Sequence, residues 1–459
     1  MTLISSISGI RGTIGGTVGD NLTPVDIVNF ASAFGTWLTL KSSSRVVVVG
    51  RDARPSGGMV HQLVTGTLVG LGFQVVDLGL STTPTVEIAV PELDAAGGII
   101  LTASHNPVDW NALKLLNYRG EFVTKKDGSE ILEILENKYY QFSPVQQLGN
   151  ITPREDFVDI HIQKILNLKL VDRYAIGKAG LKVVVDGVNS SGGVYVPQLL
   201  AALGVKNVIK INCQPSGWFT HNPEPLEKNL TEICDYIREN EADLGIAVDP
   251  DVDRLVFIDE NGRMFGEEYT LVAIADYILH HQKSAVVSNL SSSRALRDVA
   301  QKHGCRYYAS AVGEVNVVEI MKRTDALIGG EGNGGIIYPE LHYGRDALVG
   351  IALFLSHLTK SGMSCSALRD TYPDYFMAKE KIELHEGINT AALLEAFKKT
   401  YQHEKVNDVD GVKVDFQDSW VHLRLSNTEP IIRVYTEAPT QEKADSLAQQ
   451  IIQEILSMI

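Results

Sequence analysis

The sequence predicts an α/β protein of several domains, closed by a smaller α+β domain. Three observations carry this. Three segments repeat one pattern, a β-branched run, a polar or glycine-rich turn and a helix-like stretch. The residues from 376 onward break that pattern, with strand-like runs at short spacing. The chain has 459 residues, which at roughly 100–200 residues per domain suggests three or four domains.

The first repeat is RVVVVGRDARPSGG (45–58), followed by a helical pattern from Met59 to Val69. The second is LKVVVDGVNSSGG (181–193), followed by VYVPQLLAAL, and the third is SAVVSNLSSS (284–293), followed by RALRDVAQKHG. Short continuous apolar runs read as strands buried on both faces, and their alternation with helices predicts parallel sheets. In the last region FMAKEKIEL, VKVDF, WVHLRL and IIRVYTEA read as strands, with a helical pattern near 390–402. A final helix opens near Thr440, after Pro439 and with Glu442 at its positive dipole end. Its apolar face is Ala444, Leu447, Ala448, Ile451, Ile452, Ile455 and Leu456, spaced at three and four. Polar stretches near 141–155 and 370–376, and a break after Asp253, divide the chain into domains over 1–150, 151–254, 255–370 and 371–459.

Composition narrows the function. Lys plus Arg is 41 and Asp plus Glu is 56, a net charge of −15, which argues against extended nucleic-acid binding. A small anionic ligand stays open, since it needs only a local cluster of cations. No apolar run reaches the ~18 residues of a membrane helix, so no membrane partner is expected. The N-terminal MTLISSISGIRG lacks a charged region ahead of an apolar core, so no secretion signal is expected. Four scattered cysteines, Cys213, Cys234, Cys305 and Cys365, fit a reducing cytoplasm.

Four motifs carry chemistry. In GGIILTASHNPVDWNALK (97–114) a buried strand runs into a turn that displays Ser104 at the strand's carboxyl end, where α/β sheets place ligand sites. Asn106-Pro107 keeps the turn extended. His105, Asn106, Asn111 and Lys114 crowd beside it as donors and a cation for an anionic group. In DLGIAVDPDVDRLVFIDENGRMF (243–265), Asp249, Asp251 and Asp253 stand at i, i+2 and i+4 between two strand-like runs. Three carboxylates this close repel one another unless a cation sits between them, and hard oxygens suit Mg²⁺ or Ca²⁺. An EF-hand is excluded, because Arg254 occupies the position that loop gives to glycine and the flanks are strands. Arg254 beside the triad points to an anion joining the metal. GGEGNGG (329–335) offers Glu331 and Asn333 to sugar hydroxyls or an amine. LRLSNTEPIIRV (423–434) sets Arg424, Ser426, Asn427, Thr428 and Arg433 around a strand–turn–strand, where hydroxyls and two arginines can grip a phosphate.

With these motifs in this order, the chain resembles the α-D-phosphohexomutase family over essentially its whole length. TASHNP (102–107) is similar to the phosphoserine loop, DPDVDR (249–254) to the metal loop, GEGNGG (330–335) to the sugar loop and RLSNTEP (424–430) to the phosphate-binding loop. GIRG (9–12) resembles the N-terminal active-site loop. The resemblance implies four domains around a central cleft, three similar α/β domains with mixed sheets and a C-terminal α+β domain. It implies a phosphoryl group on Ser104, and one Mg²⁺ held by Asp249, Asp251, Asp253 and an oxygen on Ser104. Arg11, His105 and Lys114 would line the cleft as catalytic residues, Lys114 for proton transfer. Arg254, Glu331, Asn333, Arg424, Ser426, Asn427, Thr428 and Arg433 would bind the sugar phosphate. The implied activity is a phosphohexomutase that works through a hexose 1,6-bisphosphate, on glucosamine phosphate or alternatively on mannose or glucose phosphates. One departure bears on the sugar. The loop ends in Asn333-Gly334-Gly335, without the Ser-Gly-His of many bacterial members; this ending resembles archaeal-type phosphoglucosamine mutases, and related phosphomannomutase/phosphoglucomutases share it. His342 in HYGRDA is the candidate replacement for the absent histidine. The sequence leaves the oligomeric state open.

Overall fold

The structure, a computed structural model, describes residues 2–6, 9–385, 388–426 and 431–458. The chain forms two compact units, one of residues 1–277 and 333–369, the other of residues 278–332 and 370–459.

The first unit is built on two sheets. Its larger sheet places Gly97–Leu101, Val46–Arg51, Gln74–Leu80 and Asn150–Pro153 side by side in parallel. Trp110–Leu116 and then Gly9–Thr13 add antiparallel on the other edge. The smaller sheet sets Leu244–Val248, Lys182–Asp186 and Asn207–Ile211 parallel, with Leu255–Asp259 antiparallel at its edge. Both sheets are thus mixed, where the apolar runs alone predict parallel ones. The reason is connection length. The chain passes from Leu101 to Trp110 and from Val248 to Leu255 with too few residues for a helical crossover, so each following strand must return antiparallel. Those two tight connections are the serine loop and the aspartate loop.

The helices start where their caps dictate. Thr23 and Asp26 form a capping box ahead of Pro24–Lys41, with Pro24 at the first position, where its missing N–H costs nothing. The helix expected over Met59–Val69 spans Gly57–Gly70. Phe30, Phe34, Val47, Val49, Val64, Leu68, Ile99 and Leu101 pack into one core beneath the larger sheet. The helix Ala347–Ser361 is buried along most of its length, and Phe354 stacks on Phe257 with ring centroids 3.7 Å apart.

The second unit contains the parallel strands Tyr307–Ser310, Val286–Asn289 and Ile328–Glu331. It also contains an antiparallel sheet in the order Phe376–Glu383, Ile431–Ala438, Trp420–Leu425, Val412–Asp415, Lys405–Asn407. Two helices, Thr390–Thr400 and Gln441–Met458, supply Phe397, Ile451 and Ile455 to the core of that sheet. This is the expected α+β element pattern. Lys413 joins the two layers: its buried ammonium lies over the Trp420 ring, 3.7 Å from the centroid, and donates to the Leu290 carbonyl at 2.7 Å. Among the described residues no helix is long and apolar enough to cross a membrane.

Candidate active site

The first unit brings the serine loop onto the aspartate loop. Ser104 is almost fully buried, and its hydroxyl donates to Asp249 Oδ2 at 2.7 Å. Ser104 has φ of +50°, in the left-handed region that non-glycine residues adopt rarely. Its N–H is held by the Thr102 hydroxyl at 2.9 Å, and that hydroxyl donates to Asp52 at 2.7 Å. In the aspartate loop Val252, a β-branched residue, has φ of +63°, a still less favoured conformation. Ala347 N–H on the Val252 carbonyl (3.1 Å) and Val252 N–H on the Asp249 carbonyl (3.1 Å) hold it there. Both functional loops therefore carry backbone strain sustained by their surroundings.

The three aspartates are fully buried, and one oxygen from each lies within 4.8 Å of the others. Asp249 Oδ1 accepts from the N–H groups of Asp253 and Arg254 at 3.1 and 3.0 Å. Asp251 Oδ2 accepts from Lys114 Nζ at 2.7 Å and from the Thr83 hydroxyl at 2.6 Å. Asp253 Oδ2 accepts from Arg345 at 2.7 Å. The opposite oxygens, Asp251 Oδ1 and Asp253 Oδ1, are buried with no hydrogen-bond partner. Buried oxygens left unpaired are costly, and a hard divalent cation is what this donor set fits. The residues present are thus suited to Mg²⁺, as the resemblance implies.

Electrostatics divides the three carboxylates. Burial and the neighbouring charges of Asp253 and Asp251 push the Asp249 carboxyl well above the usual range. Burial acts on Asp251 in the same direction, but the Lys114 charge, with hydrogen bonds from Lys114 and Thr83, more than offsets it and holds that carboxyl low. Lys114 loses some basicity to burial, yet Asp251 and Asp253 raise it overall, so it keeps its proton at neutral pH. His105 is pushed down to about 3 by burial and then by the charges of Arg254, Lys114 and Arg11. Its ring is therefore neutral, with Nδ1 3.5 Å from Ser104 Oγ. Burial and Arg254 also lower Arg11, which remains charged. Arg254 reaches Glu224 at 3.4 Å and lies 4.0 Å from Asp253 Oδ1. Arg11, His105, Lys114 and Arg254 thus gather around Ser104 and the triad, as their motifs suggest.

Two other expectations read differently in the structure. Asn111 is fully buried; its amide nitrogen donates to Ser56 Oγ (2.9 Å) and its oxygen accepts the Ala112 N–H (2.8 Å), so it braces the strand beside the serine loop. His342 does not stand free for a ligand. Its ring lies 3.4 Å from Glu87 Oε2 and 3.3 Å from Asp346 Oδ2, which counts against its replacing the absent loop histidine. The sequence reading missed Thr83 and Arg345. Thr83 stands 168 residues from its partner Asp251 and is an ordinary first-turn threonine in the chain. Arg345 sits beside the His342 already singled out, but nothing local shows that it faces Asp253.

In the second unit Glu331 is buried, and its Oε1 accepts from Asn289 at 2.9 Å and Gly313 N–H at 3.1 Å. Asn333, in the first unit, accepts the Gly335 N–H at 3.2 Å and so shapes its own turn. Arg424 and Arg433 are direct cross-strand partners in the antiparallel sheet. Like charges so placed repel, and Arg424 is offset by Asp410 at 2.9 Å. Ser426 N–H donates to the Ile431 carbonyl at 3.0 Å. Asn427 and Thr428 lie outside the described residues.

Known proteins match this chain from end to end. Four family models match in order: phosphoglucomutase/phosphomannomutase α/β/α domain I over residues 4–141, domain II over 159–262, domain III over 266–375 and the C-terminal domain over 380–454. The chain belongs to the phosphoglucomutase/phosphomannomutase family. It is therefore an isomerase, a phosphohexomutase, with three α/β domains and a C-terminal domain on an antiparallel sheet. A Thermococcus kodakarensis protein named phosphoglucomutase/phosphomannomutase is 36% identical, covering 94% of this chain and 95% of its own. A Pyrococcus abyssi protein named probable phosphoglucosamine mutase is 32% identical, over 96% and 95%. A solved family structure from Burkholderia thailandensis shares the fold with a TM-score of 0.86 at 23% identity, over 99% of this chain and 97% of that one.

Proposed function

We propose that this phosphohexomutase interconverts glucosamine 6-phosphate and glucosamine 1-phosphate in the cytoplasm, with Ser104 as the phosphoryl carrier. The observation that supports this most is the Ser104 hydroxyl, buried 2.7 Å from Asp249 in a pocket of three carboxylates and several cations. Phosphoryl transfer asks for positioning and charge neutralisation more than for covalent work by the protein. In the first half-reaction the bond between phosphorus and Ser104 Oγ breaks. A bond forms from phosphorus to the free hydroxyl oxygen of the sugar monophosphate, giving the 1,6-bisphosphate. Lys114 Nζ gives its proton to the leaving Ser104 oxygen and takes up the one the sugar hydroxyl releases, so protons balance over the half-reaction. The bisphosphate then turns over and returns its other phosphoryl group to Ser104. Asp249, Asp251 and Asp253 would hold Mg²⁺, which when bound neutralises charge on the transferring group. Arg11 and Arg254 add fixed positive charge. Arg424, Arg433, Ser426, Asn427 and Thr428 take the phosphate that is not transferred, and Glu331 and Asn333 the sugar oxygens.

The glucosamine assignment rests on relatives such as the Pyrococcus abyssi protein, and the Asn-Gly-Gly loop ending is compatible with it. The name of the Thermococcus kodakarensis relative favours the second reading, glucose or mannose phosphates. Initial rates of the phosphorylated enzyme on glucosamine, glucose and mannose 6-phosphates with Mg²⁺ separate them. Fastest conversion of the glucosamine ester is expected. Good rates on the other two with none on glucosamine would replace the first reading by the second.

A further inference from the structure

The serine loop is organised around one buried side chain that the reaction itself does not call for. Arg54, 1% exposed, follows the strand Val46–Arg51 in the turn Asp52–Arg54. Its guanidinium has five N–H donors, and all five are used. Nε donates to Asp52 at 3.1 Å. Nη2 donates to the carbonyls of Ser104 (2.6 Å) and Asn106 (2.7 Å). Nη1 donates to the carbonyls of Pro107 and Trp110, the latter at 3.0 Å. Four of the acceptors span the whole loop, from Ser104 to the first residue of the returning strand. The Phe219 ring covers the guanidinium, 5.0 Å away. The same turn is tied to the aspartate loop, since Ala53 N–H points to Ser190 Oγ at 3.4 Å and Ser190 Oγ donates to the Pro250 carbonyl at 2.7 Å.

We infer that Arg54 is a positioning residue for phosphoryl transfer, one that fixes the left-handed Ser104 backbone and so aims the Ser104 oxygen at Asp249. A left-handed non-glycine residue persists only where its surroundings over-determine it. Here Thr102 holds the Ser104 N–H and Arg54 holds its C=O. Lysine has three donors and no planar fork, so it leaves at least two of the five acceptors unmet. The inference rests on the phosphoserine reading above.

The test is Arg54→Lys in the full chain, with Ser104→Ala alongside. A misplacement near 1 Å costs about 100-fold in rate. Arg54→Lys is expected to lower kcat by about that factor while KM for the sugar phosphate stays within about twofold. Hydrogen exchange at the amides of 103–110 quickens, while the strand Gly97–Leu101 keeps its protection. In Arg54→Ala, added guanidinium ion restores part of kcat. Wild-type kcat in Arg54→Lys, or a loss matched by equal deprotection of Gly97–Leu101, overturns the inference. Should neither Arg54 variant accumulate folded, Phe219→Leu decides: a several-fold fall in kcat supports the inference and an unchanged kcat overturns it. An active Ser104→Ala would instead overturn the phosphoserine reading, whatever Arg54 does.

Discussion

Lys114 on the strand Trp110–Leu116 and His105 in the serine loop before it are tuned in opposite ways. Lys114 faces two carboxylates and keeps its proton, whereas His105 is held neutral by burial and then by three cations. Lys114 is therefore a fixed cation and proton donor at neutral pH. Lys114→Met removes one preorganised charge from a dry site, so it should lower kcat by about 10²–10³-fold, with a smaller change in KM, read from steady-state rates. His221 Nε2 donates to Asp186 Oδ2 at 3.0 Å. Burial lowers its pKa, but the hydrogen bond and charge of Asp186 prevail and raise it above 6.5. A group whose folded pKa is raised contributes stability that is complete below its unfolded value and is lost as pH rises through the folded one. The thermal midpoint should therefore fall between pH 6.5 and the raised pKa, and His221→Gln should flatten that fall. An unchanged pH profile in the variant would show that the pair contributes nothing.

At the scale of the element, caps and turns decide what the sequence could reveal. Thr23-Pro24-x-Asp26 is a local signal, and the capping box it forms can be read from the chain. Asp346 cannot be read that way. Its Oδ1 caps the helix Ala347–Ser361 through the N–H groups of Leu348 and Val349, at 2.8 and 3.2 Å. Its Oδ2 meets His161 Nε2 at 2.8 Å, 185 residues away, and the other ring nitrogen of His161 meets the Thr85 hydroxyl at 2.9 Å. Burial raises the Asp346 carboxyl, but His161 and His342 prevail and hold it low. Asp346→Ala loses a cap worth about 1 kcal/mol and strands buried polar groups at about 1–3 kcal/mol each. Denaturant unfolding should show a loss of about 3 kcal/mol or more. A loss below about 1 kcal/mol would mean the network relaxes without it. The serine and aspartate loops were legible because each is a short run with its own chemistry. Arg54, Thr83 and Arg345 were not, because each meets its partner only after the sheets assemble.

Across the whole molecule, repeated strand–turn–helix patterns revealed the α/β class, and the change of pattern after 376 revealed the last domain. The mixed strand directions came only through the family resemblance, since an apolar run by itself looks the same whichever way its neighbour points. The division into two compact units was hidden as well, because it cuts within the sugar loop between Gly332 and Asn333. The units should respond separately to core mutations. Phe397 is fully buried in the second unit, and Phe397→Ala should cost it about 3–5 kcal/mol. Mg²⁺ binding by the triad of the first unit, followed by calorimetry, should be unchanged below the new melting transition. Weakened Mg²⁺ binding there would show that the triad depends on the second unit. The central claim is that Ser104 carries the transferred phosphoryl group. Intact-mass measurement of the protein incubated with a hexose 1,6-bisphosphate, then with glucosamine 6-phosphate, tests it most directly. The account predicts one added phosphoryl group, lost to the sugar and absent throughout in Ser104→Ala. A Ser104→Ala protein that still gains the group and still turns over substrate would contradict it.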